Sequence, residues 1–90
     1  MLGKWAQIVD RGRSTGFIRA EHNLDKWGLQ DPDTLILAMT EELGELAQAQ
    51  LQSRADRSQR PRVREECVDL MALCLQLYLR ESVDAGNDGK

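Results

Sequence analysis

Apolar positions along this chain recur at intervals of three and four residues and nowhere alternate, so helices are expected throughout. Leu2, Trp5, Ile8 and Val9 keep helical spacing, and Phe17, Ile18, Leu24 and Trp27 resume it. Gly12 and Gly16 bracket "RGRSTG" between them. The pattern allows a break there, with Ser14 or Thr15 capping a second short helix, or one long helix that tolerates both glycines. "GLQDPD", residues 28 to 33, reads as a loop. Gly28 ends the first helix, and Asp31-Pro32-Asp33 opens the next with an acidic first turn.

The second helix is expected from about Pro32 into the low fifties, with Leu35, Met39, Leu43, Leu46 and Gln50 as its inward stripe. "SRADRSQRPR" has no apolar period and reads as the connection. The third helix is expected over roughly 60–82, with Pro61 in its first turn and Val63, Cys67, Leu70, Cys74 and Leu77 along one face. In "CVDLMALCLQLYL", residues 67 to 79, only Asp69 and Gln76 are polar. A helix apolar nearly all round is buried all round, and three short helices cannot cover it. Its second face, Tyr78 included, is expected to pack against another subunit. The closing "DAGNDGK" has no apolar anchor and is expected to fray. The organisation expected is a single all-α domain over 1–82, a short bundle built on a helical hairpin and completed by oligomerisation, with a disordered tail at 83–90.

Composition agrees. The chain has 90 residues, 41% apolar and 30% charged, with one Phe and one Tyr, so strand formers are scarce. A core this small supplies little net stability alone, which again favours a partner subunit. The net charge of −3 is too mild to argue for or against a polyanionic partner. "MLGKWAQIVDRG" carries charge and no long apolar run, so it is not a signal peptide, and no segment is long and apolar enough to span a bilayer. Cys67 and Cys74 lie about 10 Å apart along one helix, too far for a disulfide. They are expected to be buried reduced thiols, and the location cytoplasmic.

The carboxylates change the picture. On a helical wheel Glu42 lies at the edge of the second helix's stripe, Glu45 further round and Glu41 beyond it, while Ala38 and Ala49 leave room on the same strip. On the third helix Glu66 lies near the stripe and Asp69 further out. Each helix thus offers an i, i+3 carboxylate pair. In an antiparallel hairpin the two pairs meet if the turn centres on Ala55-Asp56, which requires the second helix to end near 53 and the third to begin near 58–60, with Ser58 as N-cap. "EELGE" alone reads most simply as a solvated face. Four carboxylates converging on one half-buried place repel, and a divalent cation resolves the conflict. An all-oxygen set without His or Cys points to Mg²⁺ or Mn²⁺.

Glu41-Glu42-Leu43-Gly44-Glu45 followed by Glu66-Cys67-Val68-Asp69, within "LILAMTEELGELAQA" and after "DKWGLQ", resembles the MazG-like family of all-α nucleoside triphosphate pyrophosphohydrolases. The similarity covers about residues 17 to 80. It implies hydrolysis of a nucleoside or deoxynucleoside triphosphate, canonical or not, to the monophosphate and pyrophosphate, by a Mg²⁺-dependent homodimer or homotetramer. Glu42, Glu45, Glu66 and Asp69 would be metal ligands, and Glu41 would orient or activate water. The family commonly adds a fourth helix; this chain ends about twenty residues after Asp69, so nucleotide contacts are expected from elsewhere or from a partner subunit. Trp27, Lys26 and Arg62 are the candidates for base and phosphate contacts. Arg54, Arg57, Arg60, Arg62 and Arg64 form a basic stretch, where one or two could receive phosphate or all could be solvated; no aromatics interleave them, which argues against nucleic acid. A helical oligomeric interaction module that keeps an acidic metal site without catalysis is the alternative function.

Overall fold

The computed structural model of the chain describes residues 3–86, and among these every element is helical. A 3-10 turn, Gly3–Trp5, leads into α1, Ala6–Trp27; α2 follows over Pro32–Ala55, then a second 3-10 turn, Arg57–Gln59, and α3 over Arg60–Asp84. No helix among the described residues is long and apolar enough to cross a membrane. The helix expected to end near 82 reaches Asp84, and residues 87–90 of the expected tail lie outside the described residues, as does Leu2.

Local chemistry sets the boundaries. Gly28 stops α1 at φ 73°, a conformation costly for any residue with a Cβ, and its N–H bonds to the Leu24 carbonyl at 2.8 Å. Asp31 caps α2: its carboxylate accepts the Thr34 N–H and hydroxyl, both at 2.9 Å, and Pro32 occupies the first turn. The second connection is closed by Asp56, not by Ser58. Asp56 stands in extended backbone and accepts both the N–H of Ser58 at 3.0 Å and its hydroxyl at 2.8 Å. Ser58 spends its hydroxyl there, and α3 starts from Gln59 with no side-chain cap.

Between the two readings of "RGRSTG", the continuous helix is the one formed. Thr15 turns its hydroxyl back to the Arg11 carbonyl at 2.8 Å, a bond inside the helix that leaves no cap. The two glycines are unlike. Nothing approaches within 4 Å of a Cβ built on Gly12, whereas one on Gly16 would run into Met71 of α3, with Cγ at 3.0 Å and Sδ closer still. Gly16 is where α1 and α3 make their close approach.

α3 is the centre of the molecule. It packs against both α1 and α2, while no Cα of α1 comes within 8 Å of one in α2. Cross-helix contacts run Arg19 to Asp69, Asn23 to Gln76 and Leu29 to Arg80, so α1 is parallel to α3 and α2 is antiparallel to it. Among the described residues the buried apolar ones are Ala20, Leu35, Ala49 and Ala72. Only Leu35 is large; its complete burial is worth about 1.5–3 kcal/mol.

Both expected stripes are rotated. On α2 Leu43 is 56% exposed and Gln50 is also exposed, while the inward strip is Leu35, Ala38, Glu42, Leu46 and Ala49. α3 closes on the alanines because small side chains let two backbones approach, and Glu42 goes inward with them. On α3 the buried positions are Ala72 and Gln76, and both cysteines are free and exposed, contrary to the expectation of core thiols. Cys67 lines a depression between α1 and α3. Leu75, Tyr78, Leu79 and Val83 are exposed as well.

Replacing Gly12 by alanine is expected to stabilise the protein by up to about 1 kcal/mol, because helix propensity improves in open space. Gly16→Ala gains the same propensity but must displace Met71, at a cost of about 1–3 kcal/mol, and should be neutral or destabilising. Urea unfolding of the two variants in parallel measures the difference; equal stabilisation would mean that α1 and α3 do not meet at Gly16.

Candidate metal centre and adjoining groove

The hairpin brings three of the four predicted carboxylates together. α2 continues two residues past 53 to Ala55 and α3 begins at Arg60, so the connection centres near 57–58, about two residues beyond the expected Ala55-Asp56. One carboxylate oxygen from each of Glu42, Glu45 and Glu66 lies within 4.8 Å of the others. Glu42 and Glu66 are half-buried and Glu45 is exposed, so the cluster opens to solvent on one side. Its inner side is closed: Oε2 of Glu42 and Oε2 of Glu66 are both buried without a hydrogen-bond partner. Two orphaned anionic oxygens side by side are costly unless a proton or a cation comes between them. Accordingly the Glu42 carboxyl is pushed up from 4.5 to about 7, by burial first, then by the facing Glu66 carboxyl and the negative charges of Glu45 and Asp69.

Asp69 lies on the same side of α3 but outside this three-residue cluster. Its Oδ1 accepts from the Arg19 guanidinium, which also comes within 3.8 Å of Glu65. Burial raises the Asp69 carboxyl above its usual range, and the charge of Arg19 opposes that rise. Arg19 was not singled out from the sequence. The available signal was its place on α1, three residues after Gly16 and four before Asn23, on the one face of that helix that meets α3.

From Glu42 and Asp69 a groove of about 400 Å³ runs away from the hairpin turn, floored by α3 and walled by α1 and α2. It exists because the backbones of the two walls stand apart. Ala38 and Leu73 supply apolar lining, Trp27 stands at its rim, and Asn23 donates to the Gln76 carbonyl oxygen at 2.8 Å across its floor. Gln76 is 1% exposed, the buried polar residue of the protomer. That amide pair was also missed, since a lone glutamine in an apolar helix carries no periodic signal.

The remaining candidates are dispersed around this centre. Glu41 is exposed and outside the cluster, on the strip adjoining Glu45. Lys26 holds its ammonium 4.8 Å from the centroid of the Trp27 ring. Arg62 donates to Oε1 of Gln52 on the same side of the hairpin as Glu45 and Glu66. Helical periodicity puts Arg54, Arg60 and Arg64 on the opposite side of the hairpin, where they line a separate depression with Arg57. His22 is exposed and outside the groove lining.

The arrangement therefore offers an all-oxygen, net-negative donor set half-closed from water, beside a cleft with both apolar and hydrogen-bonding surface. Comparison of the chain with protein families, with curated protein sequences and with solved structures gave no match in any of the three.

The Glu42 shift has a definite sign. Its folded-state value is raised, so its contribution to stability is complete below about 4.5 and is lost as pH rises through about 7. Because the cluster opens to solvent on one side, screening reduces the loss to about 1–2 kcal/mol, or roughly 5–15 °C in Tm for a domain of this size. In metal-free buffer, melting curves between pH 5 and 8 should show that decline, and Glu42→Gln should flatten it and raise Tm at pH 8. An unchanged slope in the variant would mean that Glu42 is not held protonated.

Proposed function

We propose that this chain is a Mg²⁺-dependent nucleoside triphosphate pyrophosphohydrolase of the MazG-like type, working as a homo-oligomer. The observation that carries the reading is the convergence of Glu42, Glu45 and Glu66 from two antiparallel helices, with two of their oxygens buried and unpartnered. Such oxygens suit a hard divalent cation better than solvent or lysine would, and no histidine or cysteine softens the set.

Glu42, Glu45 and Glu66 would hold Mg²⁺ or Mn²⁺, and Asp69 can add Oδ2 while Arg19 keeps Oδ1. When bound, the ion supplies charge neutralisation on phosphate oxygens and acidifies water. Glu41, exposed and unencumbered, takes the proton of the attacking water. A bond forms from the water oxygen to the α-phosphorus, and the α–β bridging P–O bond breaks with its electron pair leaving on pyrophosphate. Arg62 stands on the metal side of the hairpin to meet the outer phosphates. Trp27 and Lys26, at the rim of the groove, suit the nucleoside end.

Self-association is supported by what one protomer leaves uncovered. Ile36, Leu43 and Leu51 on α2, and Leu75, Tyr78, Leu79 and Val83 on α3, are all exposed, while the buried apolar set of a protomer is three alanines and a leucine. Apolar surface on this scale in so small a domain is characteristic of an interface.

Purified protein with Mg²⁺ should release pyrophosphate from at least one member of a panel of canonical and modified NTPs and dNTPs. Glu42→Gln and Glu66→Gln should each lower kcat by about 100-fold or more while leaving the assembly intact. Metal binding without turnover of any nucleotide would sink the enzymatic reading and favour a non-catalytic helical module with an acidic metal site. Sedimentation equilibrium should give a dimer or tetramer; a monomer at all concentrations would refute the oligomer.

A further inference from the structure

The arginines of the hairpin connection are not part of the carboxylate centre. Arg54 at the end of α2, Arg57 in the 3-10 turn, and Arg60 and Arg64 in the first turns of α3 line one depression of about 450 Å³. Helical periodicity turns it away from Glu45 and Glu66, to the other side of the α2–α3 contact. Among the described residues none of the four pairs with a carboxylate or donates a side-chain hydrogen bond, whereas Arg13, Arg19, Arg62 and Arg80 all do. A chain with 15 acidic residues and a net charge of −3 has thus gathered four unpaired guanidiniums in one concavity.

One further feature adds positive potential there. α3, a 25-residue helix, begins beside this depression with no side-chain cap and no acidic residue in its first turn, in contrast to α2 with its Asp31 cap and Asp33. The Arg60 N–H bonds to the Arg57 carbonyl and Pro61 has none, so what this end adds is the positive end of the helix dipole. The one carboxylate in the turn, Asp56, is ionised and offsets one of the four arginine charges; its Oδ1 accepts the Ser58 N–H and hydroxyl, and those bonds hold its carboxyl below the usual range. Gln50 and Ser53 add neutral polar groups to the lining, and no aromatic side chain is present on which a base could stack.

We propose that this depression is a phosphate-oxyanion site, separate from the carboxylate centre, that binds a free polyphosphate. Four converging guanidiniums repel one another in the absence of an anion, and a multiply charged phosphate chain satisfies several of them at once. The lack of an aromatic platform and the compact concavity favour a free polyphosphate over a nucleic-acid strand, whose backbone would present the same oxygens along an extended track.

The test is calorimetry on the full chain in low-salt buffer freed of metal by chelating resin, with inorganic tripolyphosphate as the probe and a DNA and an RNA duplex as separate arms. Tripolyphosphate should bind with an affinity that falls as salt is raised. Arg57→Gln/Arg60→Gln and Arg54→Gln/Arg64→Gln should each weaken it by at least about tenfold. Glu42→Gln should bind as the parent does, which separates this site from the carboxylate centre whatever that centre's activity. No binding by the parent chain, or binding that neither arginine pair alters, would overturn the proposal. Duplex binding tighter than tripolyphosphate and lost in both arginine variants would overturn the choice of ligand and give the site to a nucleic-acid backbone.

Discussion

Everything in this fold hangs on α3 being covered from two sides by helices whose own backbones stay more than 8 Å apart between Cα atoms. α1 reaches it through Gly16, where the absent side chain admits Met71, and α2 reaches it through the alanine strip at Ala38 and Ala49. Two contacts made by small residues place three backbones close together but leave a gap between the outer pair. That gap is the groove. Its floor is the strip of α3 between the two contacts, which carries Asp69, Leu73 and Gln76, and its wall on α2 carries Glu42. The same packing that holds the helices together sets the chemistry of the cleft.

The cost of this arrangement is visible in what faces inward. Glu42, Glu66 and Asp69 are half-buried and Gln76 is fully buried, while Phe17, Ile18, Leu43 and Tyr78 are exposed. Polar groups are buried in native proteins when they are paired, and all four of these have partners or a route to one: Gln76 has Asn23, Asp69 has Arg19, and the opposed Glu42 and Glu66 can share a proton. The apolar surface left outside has no such resolution within the chain described.

Much of this was legible in the sequence because helix punctuation and register are local. Gly28, Asp31-Pro32 and the arginine-rich connection set the hairpin, and counting outward from Ala55-Asp56 paired Glu45 with Glu66 and Glu42 with Asp69, of which Glu42, Glu45 and Glu66 converge while Asp69 turns to Arg19. The rotation of each helix was not legible. A stripe drawn through leucines placed Leu43 inside and left Glu42 at its edge, whereas packing followed the alanines, which weigh little on any hydrophobic scale but permit the closest approach. The cysteines failed for the same reason. Periodicity measures which residues shun water, and here the contacts were chosen by size. Arg19 and the Asn23–Gln76 pair were invisible for a different reason, since nothing in a single helix says which polar residue will find a partner fifty positions away.

The placement of charge follows from the hairpin. A tight antiparallel pair offers two sides, and this chain puts carboxylates on one and unpaired arginines on the other, with Arg62 as the one arginine of the connection left on the acidic side. Arg62 is also the one of the five connection arginines with a hydrogen-bond partner, Gln52, which holds it clear of the glutamates. Had the other four lain on the acidic side, they would have neutralised Glu42, Glu45 and Glu66 directly. The oxygens of Glu42 and Glu66 would then be satisfied by protein, and no proton or cation would be needed there. Segregating the two signs keeps the carboxylates unsatisfied. An unsatisfied buried anion is what drives the uptake of a cation, at the expense of stability when none is bound.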